Sequence, residues 1–254
     1  MNIITKPAYL LEHDWEKEPR RLQLLEQHAD STTMSRLEAT GIQAGCRCLE
    51  VGAGRGSIAH QLAQRVGPSG SVVALDLETS LLGWLDEPNV EVLCGDALEI
   101  DFPEQSFDLI HTRLVLMHIP ERERAIERMV SWLRPGGWLV VEELDSMAVQ
   151  ADPDADRVEV FRAFGEALPT VDFECGRALL AELREAGLTD TTSDFRVDLV
   201  EGATPLAQWE QLSVQALADQ VLSAGTATEE QIDAHLAALE DPDYRGHGLS
   251  LIHI

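Results

Sequence analysis

One short segment constrains the fold of this chain more than any other: an apolar run that passes directly into a glycine-rich turn. The run is Arg47–Val51, the turn reads Gly-Ala-Gly-Arg-Gly over 52–56, and a helical pattern follows over Ser57–Val66. Glycines allow positive φ angles and carry no side chain, so a ligand can approach both the backbone and the N-terminus of the following helix. The segment therefore predicts a strand, a tight turn and a helix, with a ligand bound at the turn.

The same alternation of strand and helix recurs along the chain. Short apolar runs that are typical of buried strands occupy 47–51, 71–76, 90–96, 107–112, 138–143 and 191–200. Helical patterns occupy 121–133, 154–168, 175–186, 206–224 and 228–240. Residues 7–40 also have a helical pattern, and Ser31, Thr32 and Thr33 are expected to divide it into two helices. This alternation indicates an α/β fold with a mostly parallel sheet that helices cover on both faces.

Polar side chains stand at the ends of five predicted strands. They are Glu50, Asp76, Asp96, Thr112 and Glu143. In a parallel sheet the carboxyl ends of the strands meet at one edge, and ligands bind there near the switch in strand order. One pocket is therefore expected to collect these side chains.

The charge of the chain argues against several classes of partner. Its 45 acidic and 19 basic residues give a net charge of -26, which repels phosphate backbones, so we expect no nucleic-acid partner. No apolar run approaches the roughly 20 residues that a membrane span needs. The N-terminus has no pattern of a secretory signal, so we expect a cytoplasmic protein with no membrane partner.

The four cysteines are not spaced as metal ligands. Cys46 and Cys48 form a Cys-x-Cys pair with no second pair, and Cys94 and Cys175 stand alone. We expect small buried thiols in a reducing compartment, and no metal site.

Nucleotide-binding dehydrogenases use a similar glycine turn, so the spacing of the glycines has to be compared with theirs. The dehydrogenase pattern Gly-x-Gly-x-x-Gly would need a glycine at position 57, where Ser57 stands. The spacing found here gives Gly52, Gly54 and Gly56, with Glu50 before them.

This spacing and four further motifs resemble the class I S-adenosylmethionine-dependent methyltransferases. The first motif is Leu-Glu-Val-Gly-Ala-Gly-Arg-Gly over 49–56, and Asp76 follows the second strand. Gly-Asp-Ala over 95–97, Phe-Asp-Leu-Ile over 107–110 and Leu-Arg-Pro-Gly-Gly-Trp-Leu over 133–139 complete the series in family order. The resemblance implies a Rossmann-like three-layer sandwich with a mostly parallel sheet, an N-terminal helical lid and a C-terminal helical insertion. We expect the lid over 1–40, the core over 41–200 and a C-terminal helical segment over 201–248.

The resemblance also implies roles for the residues at the strand ends. The glycine turn would approach the methionine part of the cofactor, and Glu50 would hold that part through its ammonium group or a water. Asp76 would accept hydrogen bonds from the ribose hydroxyls, Leu77 would pack on the adenine, and Asp96 and the Ala97 N–H would bind its edge. Strand-end capping remains the alternative for both aspartates.

Methyl transfer from a sulfonium is an in-line displacement that asks the protein mainly to align the reactants and exclude water. A general base is needed only when the acceptor must lose a proton, and His118 is the candidate. The alternative is a loop histidine that bonds to the backbone. Thr112 and Arg113 are candidate cofactor contacts, although Arg113 could equally be a surface ion-pair partner. Glu142 and Glu143 should point to opposite faces of the sheet, so at most one should reach the pocket.

The acceptor should be covered by segments outside the core. The candidates are Tyr9, Leu10 and Leu11 in the lid, and Met147, Phe161, Phe164, Leu168 and Phe173 within 146–173. Ordinary helix packing is the alternative for most of these side chains. If the lid is real, deletion of residues 1–20 should abolish turnover and weaken cofactor binding only modestly.

The last six residues, Leu-Ser-Leu-Ile-His-Ile over 249–254, stand where the resemblance implies an antiparallel seventh strand. They are also the translation of a common sequencing-adapter stretch, so we expect a non-native tail. A genuine short strand is the alternative.

These observations predict an enzyme that transfers a methyl group from S-adenosylmethionine to a small-molecule acceptor and leaves S-adenosylhomocysteine. A cofactor-binding regulatory protein without catalysis is one alternative. An NAD-dependent oxidoreductase is another, and Ser57 argues against it. The acceptor and the oligomeric state are not determined by the sequence.

Overall fold

The computed structural model describes residues 15–253, with the backbone alone for 250–253. The strands are β1 Arg47–Val51, β2 Ser71–Asp76, β3 Val90–Cys94, β4 Phe107–Arg113, β5 Leu133–Asp145, β6 Asp194–Arg196, β7 Leu199–Glu201, β8 Arg245–His247 and β9 Ser250–His253. The helices are α1 Glu18–Ala39, α2 Ser57–Val66, α3 Arg122–Trp132, α4 Met147–Gln150, α5 Ala155–Ala167, α6 Gly176–Glu185, α7 Pro205–Ala224 and α8 Glu229–Glu240. The predicted helices after residue 150 are confirmed to within a few residues.

Seven strands form one sheet in the order β3-β2-β1-β4-β5-β9-β6. β1 to β5 pair in parallel, whereas β9 runs antiparallel to both β5 and β6. The strand order reverses between β1 and β4, and the glycine turn leaves β1 at this point. The predicted Rossmann-like architecture is therefore confirmed, and its switch point lies where the sequence predicts a ligand.

Helices cover both faces of the sheet. On one face, α2 and the end of α1 bury a cluster that includes Leu37, Leu62 and Val140. On the other face, α3 and α6 bury a second cluster around Phe107, Ile110 and Met129. Because both faces are covered, the central strands read as continuous apolar runs, and the polar residues within them stand out.

A helical lobe packs over the carboxyl edge of the sheet. It joins α1, α5, α7 and α8 through a third apolar cluster that includes Leu24, Phe164 and Val221. Arg157 is fully buried in this lobe, and its Nη2 donates to Glu210 Oε2 at 2.8 Å. A buried ion pair of this kind fixes how α5 and α7 meet.

The predicted break at residues 31–33 is wrong, because α1 continues through them. Two of the three side chains have partners that stabilise the helix from outside. Thr32 accepts a hydrogen bond from Arg196 Nη1 at 2.6 Å, and buried Thr33 donates to Glu142 Oε2 at 2.9 Å. Tertiary contacts thus override the weak helix propensity of threonine.

The predicted strand over 191–200 is divided into two. β6 joins the main sheet, whereas β7 pairs with β8 in a separate two-stranded sheet. Asp198 lies between them, and its carbonyl accepts a hydrogen bond from the Gly248 N–H at 2.8 Å. The chain therefore changes sheets at this point.

The segment 250–253 forms β9 between β5 and β6, where the resemblance implies the antiparallel strand. This placement agrees with the strand alternative. The non-native origin of the tail stays a prediction.

The expectation of buried cysteines holds only in part. Cys48 and Cys175 are buried, but Cys94 is exposed at the end of β3. β3 is the edge strand of the sheet, so one side of it faces solvent. Within residues 15–253 no helix is long and apolar enough to cross a membrane.

Candidate functional site

A cavity of about 1510 Å³ opens at the carboxyl edge of the sheet, between the core and the helical lobe. One end of the cavity meets the glycine turn and the ends of β2 and β3. The other end is lined mainly by apolar side chains from α5, α7 and the segment after β4. Of the five strand-end side chains predicted to share one pocket, Glu50, Asp76 and Asp96 line this cavity, whereas Thr112 and Glu143 do not.

The glycine turn requires glycine for two physical reasons. Gly52 has φ +75°, and a Cβ there would lie 2.1 Å from Val115 Cγ2. Gly56 has φ +83°, and a Cβ there would lie 2.7 Å from Leu85 Cδ1 and 2.9 Å from Leu82 Cδ2. Gly52 and Gly54 line the cavity, whereas Gly56 is not part of its lining. The turn thus exposes backbone to the cavity at its first half and packs closely at its end.

Asp76 joins the end of β2 to the glycine turn. Its Oδ2 accepts a hydrogen bond from the Gly54 N–H at 2.7 Å, and its Oδ1 accepts from the Glu78 N–H at 3.1 Å. The same side chain lines the cavity. Strand-end capping is therefore one role of Asp76. Any ligand that Asp76 binds must meet its carboxylate in the position that these two hydrogen bonds hold.

The residues after β2 and β3 form the adjoining wall. Leu77 is 41% exposed, which leaves an apolar surface open towards the cavity. Asp96 Oδ1 accepts from the Leu98 N–H at 2.8 Å, and Ala97 is held by Arg128, whose Nε donates to the Ala97 carbonyl at 2.9 Å. Leu77, Asp96 and Ala97 are thus brought together on one wall, as predicted from their positions at the strand ends.

Glu50 ends β1 as a buried carboxyl group on the cavity wall. It is 5% exposed, and its buried Oε2 has no hydrogen-bond partner within the described part of the chain. Burial raises the pKa of this carboxyl, while His111 beside it acts in the opposite direction. A buried carboxylate oxygen without a donor is costly, which favours a bound cation or donor at this place.

Arg113 lines the cavity from the end of β4 and reaches α1. Its Nη1 donates to Thr33 Oγ1 and its Nη2 to Asp30 Oδ1, each at 2.9 Å. Arg113 is therefore an ion-pair partner that also lines the cavity, and its contact with a cofactor stays a prediction. Thr112 is fully buried in β4, outside the lining of the cavity. Its Oγ1 lacks a hydrogen-bond partner among the residues that the structure describes.

His118 lines the cavity at the end of a short 3-10 turn, Leu116–His118. Burial lowers its pKa to about 4, and the nearby Arg21 acts in the same direction. The imidazole is therefore neutral at physiological pH and can accept a proton or a hydrogen bond. Its catalytic role stays a prediction.

The segment that carries His118 is held by strained and buried groups. Leu114 follows β4 with φ +57°, which is uncommon for a residue with a side chain. Buried Glu143 accepts from the Val115 N–H at 2.8 Å and from the Leu116 N–H at 2.6 Å. Glu142 bonds to α1 instead, so the two glutamates point to opposite faces as predicted. Neither of them lines the cavity.

The cavity wall includes residues that the sequence patterns did not single out. From α1 they are Arg21, Leu22, Leu25 and Glu26, and from α7 they include Trp209, Val214 and Leu217. Burial raises the pKa of Glu26 to about 7, with Arg55 acting against it. A helical pattern alone could not identify them, because packing against a sheet and lining a cavity use the same spacing.

Four of the five predicted acceptor-covering side chains in 146–173 do line the cavity: Phe161, Phe164, Leu168 and Phe173. Met147 is 49% exposed and is not part of the lining. Tyr9, Leu10 and Leu11 lie outside the described residues.

Residues 49–141 match the model of a methyltransferase domain family. Together with the sheet order and the glycine turn, this match makes the core of the chain similar to class I S-adenosylmethionine-dependent methyltransferase domains. The glycine turn, the orphaned oxygen of Glu50 and the acid at the end of β2 fit the cofactor of such domains. They offer close backbone approach, a partner for an ammonium group and acceptors for hydroxyl groups.

Among curated proteins, the domain is similar to a ubiquinone/menaquinone biosynthesis C-methyltransferase, UbiE, of Pseudomonas paraeruginosa. The two are 31% identical over 159 residues, which cover 58% of this chain and 62% of the relative. The chain thus matches less than two thirds of the length of that relative.

Two solved structures share the fold. One is Haemonchus contortus phosphoethanolamine N-methyltransferase 2 in complex with phosphomonomethylethanolamine and S-adenosylhomocysteine. It has a TM-score of 0.53 and 17% identity, and the match covers 93% of this chain and 52% of that chain. The other is the [4+2]-cyclase SpnF, with a TM-score of 0.54, 22% identity and coverage of 89% and 81%.

Proposed function

We propose that the protein transfers a methyl group from S-adenosylmethionine to a small, mostly apolar acceptor molecule. The observation that carries this proposal is the joint position of the glycine turn, Glu50 and Asp76 on one wall of a cavity that continues into an apolar chamber. The methyltransferase domain match over 49–141 and the UbiE relative support the reaction class.

In this proposal the wall beside the glycine turn holds the cofactor. Glu50 binds the ammonium group, Asp76 binds the ribose hydroxyls, Leu77 packs on the adenine, and Asp96 and the Ala97 N–H bind its edge. When bound, the cofactor would supply a methyl group on a sulfonium, with the neutral thioether as the leaving group when the acceptor attacks that methyl group in line. The protein holds the reactants in line and excludes water.

The acceptor occupies the remainder of the cavity. That chamber presents large apolar side chains, among them Met117, Phe161, Phe164, Leu168, Trp209 and Val214. Burial of such a surface against an apolar molecule supplies most of the binding free energy. The UbiE relative is named for the biosynthesis of quinones, which are apolar ring compounds, and this supports the assignment.

We assign His118 as the group that faces the acceptor. Its neutral imidazole can accept the proton of a weakly acidic hydroxyl or ring carbon during attack on the methyl group. A pKa of about 4 makes it a weak base, so the role suits acidic acceptors rather than alcohols.

The net charge of -26 supports a small-molecule acceptor over a nucleic acid. A cytoplasmic location is part of the proposal.

A cofactor-binding protein without methyl transfer is the second candidate. The observation in its favour is the fold shared with SpnF, a [4+2]-cyclase by name, since one fold can serve different chemistry.

Calorimetry and turnover together separate these functions. We expect S-adenosylmethionine and S-adenosylhomocysteine to bind, and NAD not to bind. The Asp76→Asn variant should bind the cofactor at least about tenfold more weakly, as expected for loss of a charged hydrogen-bond acceptor. Glu91→Gln, an exposed carboxyl on β3, is the matched control.

Release of S-adenosylhomocysteine is then measured with a panel of hydroxylated aromatic and isoprenoid acceptors. Turnover with any of them that depends on His118 supports the proposal. Binding without turnover across the panel favours the second candidate. NAD binding in place of S-adenosylmethionine would overturn both.

A further inference from the structure

Three ionisable side chains lie in a row across the interior of the sheet, on the face that α1 and α2 cover. His111, in the middle of β4, lies between Glu50 on β1 and Glu142 on β5. Its Nδ1 is 3.7 Å from Glu50 Oε1, and its Nε2 is 3.6 Å from Glu142 Oε1. Glu50 is 5% exposed, and the other two are fully buried. This row is called the Glu50–His111–Glu142 unit below.

The unit lowers the stability of the folded protein. Neither ring nitrogen of His111 has a hydrogen-bond partner within the described part of the chain, and the same holds for Glu50 Oε2. Buried polar groups without hydrogen bonds destabilise a protein. Apolar side chains of similar volume often replace buried ion pairs without loss of stability. Stability therefore gives no reason for these three residues, whereas the position of Glu50 on the cavity wall does.

We propose that Glu50, His111 and Glu142 act as one buried acid–base unit that controls the charge of Glu50, and thereby the affinity for the cationic ammonium group of the methyl donor. His111 and Glu142 are positioning residues in this unit, because Glu50 alone lines the cavity. The inference rests on the proposed function, since it requires the donor to bind beside Glu50.

The electrostatics of the unit determine how the charge of Glu50, and with it the binding of the donor, responds to pH. Burial by itself lowers the pKa of His111, but Glu142 and Glu50 at its two nitrogens more than offset this, so that its pKa is raised. His111 is thereby favoured as an imidazolium. Burial raises the pKa of Glu50, and the His111 cation opposes that rise. A cation at Glu50 favours its ionised form further, so binding should release protons and weaken as the pH falls.

The other charged groups that face the unit come from β4 and α1. Arg113 favours the ionised form of Glu50, whereas Asp30 disfavours it. These two are themselves paired at 2.9 Å, and Glu26 lies close to both. Since Glu142 Oε2 also accepts from Thr33 Oγ1, the unit is bonded to the helix that covers the glycine turn. His111 itself makes none of these hydrogen bonds, so its replacement is the most direct way to change the charge beside Glu50.

The test is calorimetric titration of the whole protein with S-adenosylhomocysteine, which carries the same ammonium group, between pH 5.5 and pH 9. Two buffers that differ in ionisation enthalpy report the number of protons released on binding. The variant is His111→Asn, and His111→Gln is a second variant in case the first does not fold. The control is His235→Asn, which removes another buried histidine that contacts a glutamate, Glu210, at 2.9 Å in the helical lobe.

For the wild-type protein we expect proton release and an affinity that falls towards low pH. In His111→Asn the affinity at pH 7 should fall about tenfold, and the fall with pH should begin about one pH unit higher, since one pKa unit corresponds to a factor of ten. The loss should largely disappear at pH 9. His235→Asn should follow the wild-type profile.

Two results would overturn the inference while the proposed function stands. One is wild-type binding that neither releases protons nor changes with pH. The other is a His111→Asn affinity that is reduced equally at every pH, because that is the result of a packing role. Failure of the wild-type protein to bind either S-adenosylmethionine or S-adenosylhomocysteine at any pH would instead overturn the proposed function, and this inference with it.

Discussion

At the scale of single residues, the site is built from groups that are costly where they stand. Gly52 and Leu114 have positive φ angles, and Glu50, His111 and Glu143 are ionisable groups in the interior. Such groups persist when surrounding contacts hold them, and they concentrate at functional sites. Glu143 and Val115 form one such set of contacts, because Glu143 holds the backbone N–H of Val115, and the side chain of Val115 packs on Gly52.

Substitution of Gly52 should test how closely this packing is made. Gly52→Ala places a Cβ 2.1 Å from Val115 Cγ2 at a φ of +75°, so we expect a loss of about 2–3 kcal/mol in the free energy of unfolding. Gly83→Ala is the control, because a Cβ there meets nothing within 4 Å. The double variant Gly52→Ala/Val115→Ala should recover the steric part of the loss. Denaturant unfolding measures all three, and equal losses in the two single variants would contradict the packing argument.

Glu143 should give the stability a measurable pH dependence. Burial raises its pKa to about 7, although the N–H groups of Leu116 and Val115 act against that rise. A carboxyl with a raised folded pKa binds more protons folded than unfolded between about pH 4.5 and pH 7, so stability falls as pH rises through this window. In Glu143→Gln this fall is absent, and the variant should gain up to about 3 kcal/mol relative to wild type between these pH values.

Denaturant unfolding of both proteins across pH 4.5 to pH 8 measures that difference. The difference is the quantity to follow, because His118, with a pKa lowered to about 4, acts in the opposite direction between about pH 4 and pH 6.5. Glu91→Gln, at an exposed position, is the control. A difference between Glu143→Gln and wild type that does not change with pH would refute the prediction.

At the scale of secondary structure elements, α1 is the main addition to the common core. It lies across the glycine turn and contacts β4 and β5 through polar groups as well as through the buried Leu37. Arg55 Nη1 donates to the Pro19 carbonyl at 2.7 Å, and Gln61 Nε2 donates to Asp30 at 3.1 Å.

Thr33 is one of the residues through which α1 bonds to the sheet. It donates to Glu142 and accepts from Arg113, and it is fully buried. Thr33→Val keeps the shape and removes both hydrogen bonds, so we expect a loss of about 2 kcal/mol in the free energy of unfolding. Thr32→Val, at a half-buried position with one hydrogen bond, should lose less than about 1 kcal/mol. Equal losses would show that Thr33 acts only through helix propensity.

The sequence alone was sufficient to predict the secondary structure elements, but it was not sufficient to predict the contacts between them. The glycine turn, the strand-end acids and the parallel sheet follow from local patterns, because spacing and periodicity carry that information. The break at residues 31–33 was wrong because the decisive hydrogen bonds of Thr32 and Thr33 are made with residues at least 80 positions away. His111 was missed for a similar reason. A histidine within an apolar strand has no visible partner until strand register brings Glu50 and Glu142 beside it.

At the scale of the whole molecule, the fold divides the cavity between two structures. The parallel sheet supplies the wall with the glycine turn, whereas α1, α5 and α7 supply the apolar chamber. In the proposed function the core holds the cofactor and the helices determine the acceptor, which is how one fold serves many substrates. The UbiE relative and the SpnF neighbour resemble this chain in the shared core or fold, and neither specifies its acceptor.

The net charge of -26 should make the stability of the whole protein depend on salt. Acidic groups outnumber basic ones by more than two to one, and many of the arginines are already paired with acids, so the remaining negative charges repel one another across the surface. Salt screens such repulsion over a Debye length of about 10 Å at 0.1 M and about 3 Å at 1 M. We expect the midpoint of thermal unfolding to rise by several degrees between 20 mM and 500 mM sodium chloride. A sucrose series is the control for effects that do not depend on charge, and a midpoint that falls with sodium chloride would show that the surface ion pairs outweigh the repulsion.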